Sequence, residues 1–288
     1  MLTFIKNVSH NTFLYIIYLE TGIGTILMNT QNVTNNEMII NDNLMITDKK
    51  AYLAIIMPAY NEGEHIKDNL LKASEIISGF IKNYKIIAVN DGSTDNTKDE
   101  IIKASQADSR ISYISYAPNQ GKGNAIATGV KYADSEYIAF LDSDLELDPK
   151  MLRYFLKALI ATDADIAIGS KLHKKSKLDY PLSRRILSMG YFVMLKFLFH
   201  LNLKDTQTGI KLFKSSVIKP ICEEMTTTGF AFDIEILATA NKRGYKIIEM
   251  PIELKYSRNR YEKSRISPKL IFRMFKDTMK IKKALKRK

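Results

Sequence analysis

Residues 51–254 predict an α/β domain, a largely parallel sheet with helices on both faces. Short, almost wholly apolar runs alternate with longer stretches of helical periodicity, as expected for strands buried on both faces and joined by crossover helices. The loops after those runs concentrate Gly, Asp and Asn. No repeat or low-complexity tract interrupts the region, and a chain of 288 residues that is 45% hydrophobic can bury a full core.

The elements follow in order. The first strand, Tyr52–Met57, runs into Pro58-Ala59-Tyr60-Asn61-Glu62, an aromatic face and a carboxylate where a base and a ribose can rest. After the helical stretch Glu64–Ile77, the second strand, Tyr84–Asn90, ends in Asp91-Gly92-Ser93-Thr94-Asp95. Gly92 permits a tight turn and Asp95 caps the helix Asn96–Ala107, whereas Asp91 sits at the strand tip, outside any cap position. The third strand, Ile111–Tyr116, leads to Asn119-Gln120-Gly121-Lys122-Gly123, where two glycines let backbone N–H groups approach an anion and Lys122 adds charge. Helix Asn124–Tyr132 and the fourth strand, Tyr137–Leu141, then deliver Asp142-Ser143-Asp144. Two carboxylates one residue apart repel each other unless a cation lies between them and an anionic ligand, so the pair reads as a divalent-metal site for a phosphorylated substrate. In open α/β sheets such ligands bind at the carboxyl ends of the strands. Asp148 and Pro149 open the helix Lys150–Ala161, and Ile166–Gly169 is the last strand candidate.

Taken together, Pro58-Ala59-Tyr60-Asn61-Glu62, Asn90-Asp91-Gly92-Ser93-Thr94-Asp95, Gly121-Lys122-Gly123-Asn124-Ala125 and Asp142-Ser143-Asp144 resemble the family 2 glycosyltransferases, which have the GT-A fold. The resemblance covers about residues 53–170 and implies a nucleotide-sugar donor and inversion at the sugar carbon. It places Pro58, Tyr60, Glu62 and Asp91 near the nucleoside, and Mg²⁺ or Mn²⁺ on Asp142 and Asp144. Further along, Gly169-Ser170-Lys171, Arg184-Arg185, Asp205-Thr206-Gln207-Thr208-Gly209-Ile210-Lys211-Leu212-Phe213 and Gly229-Phe230-Ala231-Phe232-Asp233-Ile234-Glu235 are similar to the dolichyl-phosphate glucosyltransferase branch, with the mannosyltransferase branch next. Many members carry Arg where this chain has Lys171, which keeps the charge and loses the bidentate fork.

The net charge of +12 is unevenly placed. From Lys255 to Lys288 there are 14 basic residues against Glu262 and Asp277, so the rest of the chain is neutral. Within this tail Ile266, Leu270, Ile271, Met274, Phe275, Met279 and Ile281 recur at roughly helical spacing. Residues 255–288 therefore read as a basic amphipathic helix on an anionic membrane surface, ahead of a solvated tail, and no nucleic-acid partner is expected. Residues 1–50 form a weakly ordered or membrane-apposed extension. Phe13–Met28 is interrupted by Glu20 and two glycines, shorter than the roughly 20 residues of a span, and not followed by a signal-peptide cleavage pattern. Ile186–Leu203 is apolar nearly all round. Its pattern fits a core helix or an interfacial one, and the resemblance favours the interfacial reading. His200 and the single cysteine, Cys222, read as structural, and one cysteine excludes an internal disulfide.

The expected activity is transfer of a hexose, glucose from UDP-glucose, to dolichyl or polyprenyl phosphate at the cytoplasmic membrane face. Lys171, Arg184 and Arg185 would offset repulsion between the two anionic substrates, and Asp205 and Asp233 would position sugar, metal shell or acceptor. The alternatives are a mannosyl donor, GDP-mannose, or a sugar-hydroxyl acceptor deprotonated by Asp233 or Asp205. A catalytically silent nucleotide-sugar-binding scaffold is disfavoured by the intact Asp pair.

Overall fold

The computed structural model describes residues 12–19, 22–29, 39–40, 51–178, 195–196, 198–199, 201, 203–254 and 268–287. Two units are distinguished, Met1–Glu37 and Met38–Lys288. In the first, Thr12–Leu19 (β1) and Gly22–Asn29 (β2) form an antiparallel hairpin in register from Thr12↔Asn29 to Leu19↔Gly22. The hairpin lies within the expected weakly ordered or membrane-apposed extension, and its β-branched and aromatic residues favour strands.

The second unit is built on an eight-stranded sheet. Its strands are Ile39–Ile40 (β3), Ala51–Ala59 (β4), Tyr84–Asp91 (β5), Ile111–Tyr116 (β6), Ser135–Leu141 (β7), Ile166–Ser170 (β8), Ile210–Lys214 (β10) and Ile247–Pro251 (β11). Lys177–Leu178 (β9) and Glu253–Leu254 (β12) pair separately. The order across the sheet is β11-β8-β10-β7-β4-β5-β6-β3. Strands β7, β4, β5 and β6 are mutually parallel, β10 is antiparallel between β7 and β8, and β3 is an antiparallel edge on β6. The sheet therefore begins at residue 39, before the expected boundary at 51, although the two-residue β3 is too short to show a period in sequence.

The crossover helices are Ile66–Ser78 (α1), Thr97–Ala107 (α2), Lys122–Tyr132 (α3) and Met151–Ala161 (α4), followed by Ser215–Glu223 (α5), Phe232–Lys242 (α6) and Pro268–Arg287 (α7). Alternate residues of β4 feed two cores, as a period of two requires. Leu53, Ile55 and Met57 pack with Ile66, Leu70 and Phe155 on the α1/α4 face. Ala54 and Ile56 pack with Ile126, Val130, Val217 and Ile236 on the α3/α5/α6 face. Because β5 and β6 lie to one side of β4 and β7 to the other, the carboxyl ends of β4 and β7 flank the point where the winding reverses. That is where an open α/β sheet leaves a crevice.

The second half bears on two expectations. Of the apolar stretch 186–203, the described residues Leu195, Leu201 and Leu203 are buried in protein cores, so this end of the stretch is core rather than interfacial. Lys196 is exposed and Leu198 and Phe199 are half-buried, and the remaining residues of the stretch, with His200, and Arg184 and Arg185 before it, lie outside the described residues. In α7, Ile281 and Thr278 are buried, and Ile281 joins Ala231, Ile234 and Leu195 in a small cluster. Ile281 thus faces the domain and not a lipid surface, while Phe275 and Met279 stay exposed. Cys222 is buried in the α5 core, and that burial pushes its thiol up to about 12, as for a structural cysteine.

Candidate active site

A cleft of about 670 Å³ opens at the reversal point. Its walls bring together Pro58, Tyr60, Glu62, Asp91, Lys122, Asp142 and Asp144, each singled out from sequence. Tyr60 and Phe230 are the large exposed side chains at this opening, 41% and 50% accessible.

The first wall is stitched by side chain to backbone contacts between the loops after β4 and β5. Ser93 Oγ accepts from Asn61 N (3.0 Å), Thr97 Oγ1 from Glu62 N (2.8 Å) and Asp95 Oδ2 from Gly63 N (3.1 Å). Asn61 Oδ1 in turn accepts from Thr94 N at 2.9 Å. The N-cap of α2 is Asn96, one residue after the expected Asp95, and Asp95 instead accepts from Thr97 N (3.0 Å), so one carboxylate holds both the helix start and the Glu62 loop. Tyr60 and Glu62 are therefore presented from a braced loop, with Asn61 in the left-handed region at φ 54°.

Asp91 is buried at the tip of β5, and both its oxygens are engaged. Oδ1 accepts from Gln120 N (2.8 Å), and Oδ2 accepts from Gly121 N and Asn119 Nδ2 (both 2.9 Å). The carboxylate thus shapes the 119–121 turn as well as lining the cleft. This alters the reading of the glycine turn. Gly123 N and Asn124 N donate to Thr228 O at 2.8 and 3.2 Å, so these N–H groups are not an open anion cradle. The glycines are needed for a different reason: a Cβ on Gly121 or Gly123 would lie 2.5 or 2.7 Å from the carbonyl oxygen of Thr228 or Thr227. They admit the 227–229 backbone, which Glu235 holds by accepting from Thr226 N (3.0 Å) and Thr227 N (2.8 Å).

The third wall is the turn after β7. Ser143 O accepts from Asn69 Nδ2 (2.9 Å), which fastens the turn to α1, and Asp144 Oδ1 accepts from Glu146 N at 3.1 Å. Leu145 adopts φ 52°, a conformation that costs a branched residue of order 1 kcal/mol and that the surrounding turn must hold. Burial, then the neighbouring charges of Asp142 and Glu146, raise the Asp144 carboxyl to about 6. Asp142 Oδ1 lies 2.6 Å from Lys122 Nζ. On its other side sits Gly209, whose hypothetical Cβ would be 2.1 Å from Asp142 Oδ2. Pairing of β10 with β7, Ile210↔Leu141, sets this close approach.

The remaining candidates stand off the cleft wall. Asp205 accepts from Lys171 N (2.9 Å) and Thr208 Oγ1 (2.6 Å) on Oδ2 and from Gln207 N (3.0 Å) on Oδ1, so it clamps the end of β8 to the turn before β10. Lys171 contributes its backbone to that clamp. Asp233 is buried at the start of α6 with Oδ1 2.7 Å from Lys211 Nζ, which donates to Thr208 O at 2.6 Å. Burial raises the Asp233 carboxyl, against the charges of Lys211 and Lys122. Lys211 and Gly209 went unremarked in sequence except as members of a motif. A lysine inside an apolar strand, Ile210-Lys211-Leu212-Phe213, is the signal that marks a buried counter-charge.

An Asp pair after the strand beside the reversal point, facing a nucleoside-sized cleft, defines a GT-A glycosyltransferase. Residues 54–222 match the family described as Glycosyl transferase family 2, and the chain belongs to it. Within that family it is similar to the dolichyl-phosphate beta-glucosyltransferase of Saccharomyces cerevisiae, at 30% identity over 228 residues covering 71% of this chain and 67% of the relative. A dolichyl-phosphate beta-glucosyltransferase of Trichomonas vaginalis is also 30% identical, over 240 residues covering 80% and 72%. Among solved structures, glucosyl-3-phosphoglycerate synthase from Mycobacterium tuberculosis with phosphoglyceric acid superposes with a TM-score of 0.60 at 15% identity, covering 81% of this chain and 79% of that one. The same enzyme in complex with Mn²⁺, UDP-glucose and phosphoglyceric acid gives 0.55 at 16% identity, covering 73% and 72%. The likeness to these structures is one of fold.

Proposed function

We propose that this protein transfers glucose from UDP-glucose to the phosphate of a dolichyl or polyprenyl lipid. The observation that carries this reading is the state of the two carboxylates that a hydroxyl acceptor would need as a base. Asp205 has both oxygens engaged, Asp233 is buried against Lys211, and neither lines the cleft. A hydroxyl acceptor requires such a base. A phosphate monoester has its second pKa at about 6 and arrives largely ionised, so it needs none. The names of the relatives from yeast and Trichomonas support the same acceptor.

Pro58, Tyr60, Glu62 and Asp91 receive the nucleoside, and Lys122 the diphosphate. Asp142 and Asp144 form a hard-oxygen pair that would hold Mg²⁺ or Mn²⁺. Among the described residues no group of three or more His, Cys, Asp or Glu side chains is placed to hold an ion. A divalent ion held there supplies neutralisation of the departing diphosphate. An acceptor phosphate oxygen forms the bond to the anomeric carbon as the bond to the nucleoside diphosphate breaks. The electron pair leaves with the diphosphate, beside the Lys122 ammonium, and attack from the opposite face inverts the centre. Lys171, Arg184 and Arg185 are assigned to the acceptor phosphate, with Asp205 and Asp233 as positioning residues. The test is incubation with Mn²⁺, dolichyl phosphate and labelled UDP-glucose or GDP-mannose, followed by phase partition. Glucose label in the organic phase is expected, and label from GDP-mannose alone would overturn the assignment of the donor.

Among the described residues no helix is long and apolar enough to cross a membrane. Membrane contact is assigned instead to α7, where exposed Phe275 and Met279 lie beside Lys276, Lys280 and Lys283 while Ile281 anchors the helix to the domain. The cytoplasmic side is assigned to the cleft as part of the same proposal. Phe275→Glu combined with Met279→Glu should weaken binding to phosphatidylserine vesicles, and undiminished binding would refute this contact.

A further inference from the structure

We propose that Lys122 is a resident cation on Asp142 that holds the metal-binding carboxylate until the nucleoside diphosphate and its divalent ion enter together. This rests on the assignment of the metal to Asp142 and Asp144. The ammonium lies 2.6 Å from Asp142 Oδ1, and the pair is partly open to the cleft, at 25% and 38% side-chain accessibility. Asp142 has little freedom to turn away from it, because Gly209 sits against Oδ2 so closely that even a methyl group there would overlap. Lys122 is also the first residue of α3, and the turn around it is fixed: Gly121 N donates to Asp91, and Gly123 N to Thr228 O. Only the flexible lysine stem is left to move. The other carboxylates whose charge reaches Lys122 are Asp233, which Lys211 already stands 2.7 Å from, and Asp144, itself assigned to the same ion.

A divalent ion arriving alone must therefore displace a like charge that has no other vacant anion to go to among these groups. An ion arriving with a nucleoside diphosphate brings phosphate oxygens within reach of the same ammonium, which exchanges carboxylate for phosphate as the ion takes Asp142. Metal and nucleotide then bind with positive coupling that passes through one side chain. Coupling between linked sites is commonly worth about 5- to 150-fold and is reciprocal.

The experiment is a Mn²⁺ titration followed by electron paramagnetic resonance on the full chain, with and without UDP, for wild type, Lys122→Met, Lys122→Gln and Lys122→Arg, each checked for a native circular dichroism spectrum. Wild type should bind Mn²⁺ weakly alone and more tightly with UDP. In Lys122→Met and Lys122→Gln the affinity for Mn²⁺ alone should rise about tenfold and the enhancement by UDP should shrink by a similar factor. Lys122→Arg, which keeps the charge, should stay weak without UDP. Neutral variants that bind Mn²⁺ alone no more tightly than wild type would overturn the latch and leave the metal site standing. A wild-type protein that binds no Mn²⁺ even with UDP would overturn the metal assignment itself, and the latch with it.

Discussion

Replacing Gly209 by alanine adds one methyl group at the point where the β10 turn meets the Asp pair. Gly209 is not in a left-handed conformation, so alanine carries no backbone penalty and the effect isolates the methyl group. That group would lie 2.1 Å from Asp142 Oδ2 and 2.5 Å from its Cγ. Ordinary contact begins near 3.4 Å, so the carboxylate or the turn must give by roughly an ångström. A shift of that size disturbs the Asp142–Lys122 contact and moves a proposed metal ligand well beyond the ~0.2 Å tolerance of coordination distances. Misplacement by about 1 Å at a reacting centre costs on the order of 100-fold in rate. Overpacking one methyl group costs about 1–3 kcal/mol of stability, which a chain of this size survives. Glucose transfer should therefore fall by about 100-fold in Gly209→Ala while the cooperative unfolding transition persists, measured by turnover and by urea denaturation. Transfer within threefold of wild type would refute the claim that Gly209 sets the position of Asp142.

Asp144→Asn should abolish detectable transfer and Mn²⁺ binding in the presence of UDP, yet leave stability unchanged or raised, because it removes a half-buried carboxylate from beside Asp142 and Glu146; a loss of stability in thermal denaturation would count against this. Asp108 is held down to about 2 by the Arg110 hydrogen bonds, with burial opposing, so its contribution is present above the unfolded carboxyl pKa near 4 and lost as pH falls through 2. Arg110→Met should cost about 1–2 kcal/mol at pH 7 and progressively less below pH 4, and a cost that does not change with pH would contradict this source of stability. Lys211→Met alone should destabilise by about 3–5 kcal/mol by stranding the Asp233 charge, whereas Lys211→Met with Asp233→Leu should recover most of that loss in the same urea titration.

The outer plan of the domain was legible because each parallel strand is a short apolar run and each loop of the cleft carries residues with few structural alternatives. Asp142 and Asp144 at the end of β7, and Tyr60 and Glu62 after β4, stand where the pattern put them. What stayed hidden depends on pairings distant in sequence. Gly121 and Gly123 resemble a phosphate turn locally, and only the Asp91 carboxylate, which accepts from Gly121 N, and the Thr228 carbonyl, which accepts from Gly123 N, show that their N–H groups are taken. Lys211 breaks the apolar run of β10, and its role becomes visible only when α6 brings Asp233 against it. Ile281 fits a lipid-facing stripe by spacing alone, and α6 rather than lipid covers it. Likewise Asp205 has the residue type of a base, but its neighbours in the turn supply donors to both oxygens.

The central claim is that the acceptor supplies its own ionised oxygen, so that no protein carboxylate acts as base. Its most direct test offers the wild-type protein labelled UDP-glucose and Mn²⁺ with dolichyl phosphate in one reaction and dolichol, which presents a hydroxyl in place of the phosphate, in another. The expected result is label in the organic phase with dolichyl phosphate and none with dolichol. Comparable transfer to dolichol would contradict the claim and return Asp233 or Asp205 to the role of base.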